Sequence, residues 1–356
     1  MVLLTRTSLG TGLVLGFVAR DNFPLPTLGV KLREFAQELY SGRGFFVLRT
    51  IPIDDYSREE LAIIFAGKPW LRTLKILLKI LLIQLLAPLP GISAHVGSAR
   101  GKQDGTGAVL AHIKDLTISH AHEKGGTGHT ADKQVFHTDV GDLIALMALE
   151  IAQEGGTSRI SSGARVYNEL AATRPDLIHT LSESWPWKNF WGNPGYTMRP
   201  VLYYEDGHVI IQYSRRNFTG YGKQQRLSHI PPITEAQAEA LDAVHFLAEK
   251  YSLGLNFQKG DIQYINSLGL LHARDAFKDS EQHTLVLLQA EQTCVTHFLF
   301  THRRHLIRLW LRDDELAWST PKPLQAIWQR LYSVPPEEQR FPLEPEIRRK
   351  PDGMTK

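Results

Sequence analysis

Residues 135–149 read VFHTDVGDLIALMAL, and the fold turns on how this stretch is taken. From Phe136 it reads as a strand, then a turn at Gly141-Asp142, then a second strand through Leu149. Side chains two apart on a strand share a face, so His137 and Asp139 project together. An imidazole and a carboxylate on one face can grip a single metal ion. The texture is similar on both sides. Residues 105–117 alternate, Gly125, Gly126 and Gly128 mark a loop, and Gly155-Gly156 marks a further turn. Residues 201–213 (VLYYEDGHVIIQY) set two β-branched and aromatic runs around Glu205-Asp206-Gly207, which predicts a hairpin. Gly260-Asp261 reads as a tight turn before another β-type run over 261–271, and residues 44–51 read as a buried strand.

Helices are fewer. Leu28, Leu32, Phe35, Ala36 and Leu39 have helical spacing over 28–40. Ser57 with Glu60, and Thr234 with Gln237, form capping boxes that open helices over 57–65 and 234–251. Shorter helices are predicted over 164–170 and 175–182. Many short strands with a few flanking helices predict a mainly β fold, a β-sandwich or jelly roll decorated by helices.

Composition narrows the chemistry. A net charge of +3 without a long Lys/Arg run argues against a nucleic-acid partner. The single cysteine, Cys294, excludes an intrachain disulfide and a cysteine-rich zinc site, so a metal must be held by His and carboxylates. No glycine fingerprint sits between a strand and a helix, which removes the usual nucleotide sites. At the N-terminus, Arg6 and the apolar stretch over 9–18 faintly suggest a targeting peptide. Gly10, Gly12 and Gly16 break the stretch and no cleavage site follows, so it is read as a strand or loop leading into the domain, in a cytoplasmic protein.

The HxD pair needs a third ligand to become a 2-His-1-carboxylate triad, which leaves open positions on Fe(II). His272, at the end of the run 264–271, is the best placed. A third component is the run RRHLIRLWL over 303–311. Read as a strand, it puts Arg304, Leu306, Arg308 and Trp310 on one face. An arginine pointing inward among apolar residues needs an anion. An ordinary ion pair with a protein carboxylate would supply one, and so would a dicarboxylate such as 2-oxoglutarate.

Taken together, VFHTDVGDLIALMAL, the turn EGGTS, GDIQYINSLGLLHAR and RRHLIRLWLRDDELAW resemble the TauD/TfdA (taurine dioxygenase-like) family, most closely its fungal members of unassigned substrate. The resemblance runs from about Phe23 to about Trp318. It implies a double-stranded β-helix (a jelly roll, cupin-like) and a non-haem Fe(II)/2-oxoglutarate-dependent dioxygenase, with O₂ as the other co-substrate. His137, Asp139 and His272 fall on the iron ligands. Arg304 falls on the arginine for the far carboxylate of 2-oxoglutarate, and Ser158 where the family places a hydroxyl on that same carboxylate. Arg308 falls where taurine dioxygenase contacts the anionic group of its substrate. The implied reaction decarboxylates 2-oxoglutarate to succinate and CO₂ and hydroxylates an unactivated C–H bond of a small organic, conceivably anionic, molecule. The rival readings are an impaired homologue of the same fold and a cupin-like metal enzyme without 2-oxoglutarate.

Two Leu-rich stretches, 68–90 and 281–301, interrupt the pattern. They read either as surface insertions or as translated introns. Lys75 and Lys79 make the first a poor membrane span. The second separates His272 from Arg304 by 32 positions, so the register of the arginine strand depends on it. The domain boundaries are a lead over 1–22, one domain over 23–335 carrying both inserts, and a disordered tail over 336–356. Several residues read blandly. His120, His122 and His129 suggest a solvated loop, Trp185, Trp187, Phe190 and Trp191 a core or pocket wall, and Arg215-Arg216 a solvated strand end.

Overall fold

The computed structural model describes residues 15–17, 19–21, 25–66, 91–117, 127–188, 195–220, 225–280 and 303–346. Both interrupting stretches, with His120, His122, Phe190, Trp191 and Cys294, lie outside the described residues.

Two antiparallel sheets form the centre. The larger holds β1 (Phe45–Leu48), β2 (Ala99–Gly101), β3 (Leu110–Lys114), β5 (Leu143–Glu150), β13 (Ile262–Asn266) and β16 (His305–Arg312). Its order is β1-β13-β5-β16-β2, with β3 also on β16. The smaller holds β4 (Gln134–His137), β7 (Ser158–Ser162), β12 (Leu253–Leu255) and β14 (Leu270–Arg274), ordered β12-β7-β14-β4. Three two-stranded ribbons complete the β structure. They pair β6 (Glu154–Gly155) with β15 (Phe277–Lys278), β8 (Trp185–Lys188) with β9 (Tyr196–Arg199), and β10 (Leu202–Glu205) with β11 (His208–Ile211).

Alternation along the strands decides what faces where. On β16, Ile307, Leu309 and Leu311 join Leu143, Ala145 and Met147 of β5 in a core against α1 (Leu28–Ser41), α2 (Arg58–Ala66) and α3 (Ile92–Val96). On β14, Leu271 and Ala273 join a second core against α4 (Gly163–Thr173), α5 (Pro175–Ser182) and α7 (Glu235–Lys250). Between the sheets, Ile160 and Leu270 pack on Ile265, Phe45 and Val47. The layers are therefore helix, sheet, sheet, helix. That arrangement buries β16 on both faces and explains its nearly continuous apolar sequence.

The punctuation matches its chemistry. Ser57 and Glu60 bond each other's backbone N–H at the start of α2, and the full capping box of Thr234 and Gln237 opens α7. Asp206 and Gly207 both have positive φ, which is what a two-residue turn between right-twisted strands requires. The run over 261–271 is not one strand. Ser267 to Gly269 turn the chain from β13 in one sheet to β14 in the other, so His272 sits inside a strand instead of closing one.

The C-terminal part differs from the expected disordered tail. Residues 336–346 pack back on the larger sheet: Val109 N–H donates to Arg340 C=O (2.9 Å), Arg340 N–H donates to Gly107 C=O (3.0 Å), and Phe341 is buried.

Candidate active site

The site lies between the sheets. β4 ends at His137, directly opposite His272 of β14 in the antiparallel register, with ring centroids 4.1 Å apart. Asp139 sits two residues past the end of β4. It reaches the histidines because the chain is turned there: its N–H donates to Ser267 Oγ (2.9 Å), in the link between β13 and β14. Asp139 Oδ1 then stands 3.7 Å from His137 Nε2. One ligating atom from each of His137, Asp139 and His272 lies within 4.8 Å of the others, the one such cluster among the described residues.

The protonation states suit a cation. His137 Nδ1–H donates to Val135 C=O (2.9 Å), which leaves the Nε2 lone pair facing Asp139. Burial pushes the His137 pKa down. Burial, then the neighbouring His137, brings His272 down to about 3 against the pull of Asp139. For Asp139, burial would raise the pKa, but Arg308, the two histidines and the Trp310 hydrogen bond hold it well below the usual carboxylate range. Two neutral imidazoles and one carboxylate are the donor set of a facial triad. His272 Nδ1 is buried with no hydrogen-bond partner, so the pocket leaves this ring unsatisfied by protein alone.

The cluster opens into a cavity of about 1050 Å³ that Arg304, Ser158, Arg308 and Trp310 also line. Arg304 precedes β16 and is buried. Its Nη1 has no hydrogen-bond partner, and it makes no ion pair with a carboxylate among the described residues. Burial, then repulsion from Arg274, pushes its pKa down to about 9. A buried guanidinium without a counter-ion is a receptor awaiting an anion. Gly156 makes room for it: φ is +73°, and a Cβ there would lie 3.2 Å from Arg304 Nε. The Ser158 hydroxyl donates to Gln263 Oε1 (2.8 Å), a buried partner with no signal in the pattern of its strand.

Arg308 is held by the protein. Its Nη1 donates to Asp139 Oδ2 (2.6 Å), and its Nε and Nη2 donate to Gln103 Oε1 (3.1 and 2.8 Å). Trp310 Nε1 donates to the same Asp139 oxygen (2.8 Å). Of these partners, Trp310 was legible on the inward face of β16. Gln103 and Ser267 carried no signal. Two bland readings are corrected. His129 is buried beside the cavity, not in a solvated loop. Arg215 and Arg216 also line the cavity, and Arg215 pairs with Asp242, so neither is a solvated strand end. Trp187 is a buried cavity wall, as expected.

Comparisons with known proteins point to one family. The family model "Taurine catabolism dioxygenase TauD, TfdA family" matches residues 7–288. A taurine hydroxylase-like protein of Stachybotrys chartarum is 35% identical over 342 residues, covering 94% of this chain and 78% of the relative. FR-33289 synthase of Streptomyces rubellomurinus is 21% identical, covering 85% of this chain and 79% of that one. Among solved structures, asparagine oxygenase in complex with Fe(II), a hydroxyasparagine and succinate superposes with a TM-score of 0.51 at 15% identity, over 80% of this chain and 79% of that chain, a likeness of fold.

Proposed function

The chain belongs to the taurine catabolism dioxygenase TauD/TfdA family, and from that premise we propose that His137, Asp139 and His272 hold its iron and that Arg304, with Ser158, receives its co-substrate. The protein is a non-haem Fe(II)/2-oxoglutarate-dependent dioxygenase that hydroxylates a small organic molecule, with release of succinate and CO₂. The observation that carries the residue assignment is one cavity holding both a cluster of two neutral histidines and one carboxylate and a buried arginine with no carboxylate partner among the described residues.

Bound Fe(II), with 2-oxoglutarate and O₂, supplies the oxidising chemistry. The side chains position the parts. His137 is kept in the Nδ1–H tautomer by Val135, so Nε2 is the ligating atom. Asp139 offers Oδ1, because Arg308 and Trp310 occupy Oδ2. Arg304 presents a two-point donor to the far carboxylate of the co-substrate, in a wall apolar enough to strengthen the contact. The Ser158 hydroxyl rotates from Gln263 to add a third donor. Arg308, carried over as a substrate contact, serves in this reading to orient the iron carboxylate.

We take residues 23–346 as one catalytic unit, supported by two cores that meet on the same pair of sheets, the first of which includes Phe341. Among the described residues no helix is long and apolar enough to cross a membrane. A single cysteine gives no call for an oxidising compartment, and we place the protein in the cytoplasm. The test is anaerobic titration with Fe(II) and then 2-oxoglutarate, followed by succinate release on admitting O₂. Absence of iron-dependent succinate formation, with 2-oxoglutarate binding unchanged by Fe(II), would refute the assignment.

A further inference from the structure

We propose that the mouth of the cavity is an apolar subsite for the body of the substrate, built from Val140, Met198, Leu227 and Ile327. The substrate is then an amphipathic molecule, larger than the co-substrate, with its polar end inward and a neutral hydrocarbon body outward. This rests on reading the cavity as the active site of a dioxygenase. Space comes first. 2-Oxoglutarate has about ten heavy atoms, which at water's share of about 30 Å³ each fill about 300 Å³. The cavity of about 1050 Å³ keeps more than half of its volume for a second molecule.

Polarity decides what that molecule is like. Charge ordinarily sits outside and apolar groups inside. Along this cavity the order is reversed. Of its exposed lining residues, Val140, Met198, Leu227, Pro323 and Ala326 are apolar and Arg330 alone is charged. Every other charged residue of the lining is buried or half-buried. Met198 is 52% exposed and Leu227 45%, so each holds a large apolar side chain in water at the entrance. Apolar side chains gathered at one exposed place mark a binding surface. Continuity with the site identifies the occupant. Val140 directly follows Asp139 in the chain, so the apolar rim begins one residue from the proposed metal carboxylate. The wall is also preformed. Ile327 lies on α8 (Lys322–Leu331), and Trp328 Nε1 donates to Asp142 Oδ1 (2.8 Å), which fastens that helix to the turn beyond Asp139. A molecule long enough to reach the rim buries hydrocarbon against it. A compact polar one leaves Met198 and Leu227 wet.

The probe is N-phenyl-1-naphthylamine, a neutral fluorophore that brightens in apolar surroundings, titrated anaerobically into iron-loaded protein containing saturating 2-oxoglutarate. Wild type is expected to bind one molecule per chain. Met198→Asp and Leu227→Asp should each weaken binding at least about tenfold, and Leu227→Gln, which adds no charge, at least about threefold. Phe246→Asp, at a similarly exposed apolar position outside the cavity, should change it less than about twofold. All three side chains are exposed, so the melting temperatures should stay close to that of wild type. No binding by wild type, binding unchanged in both rim variants, or its loss in Phe246→Asp would each overturn the proposal. So would a wild-type dimer that Leu227→Asp disperses in sedimentation, because the rim would then be an interface between copies. The 2-oxoglutarate titration is read separately. Probe bound at the rim of a protein that takes up neither Fe(II) nor 2-oxoglutarate would sink the dioxygenase reading of the cavity and leave the apolar subsite standing.

Discussion

Arg308 and Asp139 form a buried ion pair at 2.6 Å that uses one carboxylate oxygen, Oδ2, and leaves the other, Oδ1, toward His137. Both side chains are about nine-tenths buried, and Gln103 and Trp310 complete their hydrogen bonds. The metal carboxylate is thus pre-oriented before any metal arrives, at the expense of linking the site to the stability of the fold. Removing one member of such a pair strands the other.

That linkage separates the ligands. His137→Ala should abolish iron binding, measured by anaerobic titration, and leave the melting temperature nearly unchanged, because its ring fills cavity wall and not core. Asp139→Ala should abolish iron binding and also destabilise the protein by about 3–5 kcal/mol, the usual cost of an orphaned buried charge. The double variant Asp139→Ala/Arg308→Gln should recover most of that stability and none of the iron. Equal melting of Asp139→Ala and wild type would show that the pair carries no buried-charge penalty.

Arg304 and Arg308 lie four residues apart on one strand face but should fail differently. Arg304→Ala removes a charge-assisted contact worth about 1.5–3 kcal/mol. It should therefore raise the 2-oxoglutarate requirement roughly ten- to hundred-fold, at about 1.4 kcal/mol per decade. Arg308→Ala should raise the Fe(II) requirement, through Asp139, and shift the 2-oxoglutarate requirement less. A larger 2-oxoglutarate effect from Arg308→Ala would place the co-substrate on the wrong arginine.

How much of this was legible follows from what kind of signal each residue carries. The proposed iron cluster was readable because His137, Asp139 and His272 lie in segments with strong strand and turn signals. The detail was not: Asp139 lies beyond the strand, and its place depends on Ser267, which is distant in sequence and silent in pattern. β16 was readable through alternation, which put Arg304, Arg308 and Trp310 on the inner face and Ile307, Leu309 and Leu311 on the outer. Whether an inward arginine meets a protein carboxylate or none is a tertiary fact. Arg308 met one and Arg304 met none among the described residues, although alternation puts both on one face. Gln103 and Gln263 act only through amides held by long-range packing.

The described residues that flank the interrupting stretch 281–301 lie together. Arg304 N–H donates to Asp279 Oδ1 at 2.8 Å, so the chain leaves and returns at nearly the same point. Closing a shorter loop there costs little, since loop entropy changes slowly with length. A chain in which 281–301 is replaced by a few glycines should keep its melting temperature within a few degrees and keep 2-oxoglutarate affinity. A large loss of stability would mean that the stretch contributes to the core, and a loss of 2-oxoglutarate binding alone would mean that it sets the register of Arg304.

A second histidine pair, far from the iron ligands in sequence, should set the acid limit of the fold. His112 of β3 and His305 of β16 lie 2.7 Å apart, Nδ1 to Nε2, and both are buried. His112 Nε2–H donates to Pro342 C=O (3.0 Å), so neutral His112 has Nδ1 as an acceptor and His305 Nε2–H must be the donor to it. The pair bridges the sheet and the C-terminal segment, and burial holds both rings neutral. The charged groups around it are Arg58, Lys114, Glu344 and Glu346. Burial, then repulsion from His112, pushes His305 down to about 2, and burial lowers His112. The sign follows from proton uptake. Below about pH 6.5 the unfolded chain takes protons on these rings that the folded chain refuses, so stability is complete above that pH and falls as pH drops toward the folded values. The slope is at most about 1.4 kcal/mol per pH unit for each ring. His305→Gln keeps a donor for His112 and cannot titrate. Its loss of unfolding free energy between pH 6.5 and 5, measured by urea denaturation, should be smaller than that of wild type by up to about 2 kcal/mol. Identical losses in the two proteins would show that His305 accepts a proton without cost in the folded state, and that the pair does not set the acid limit.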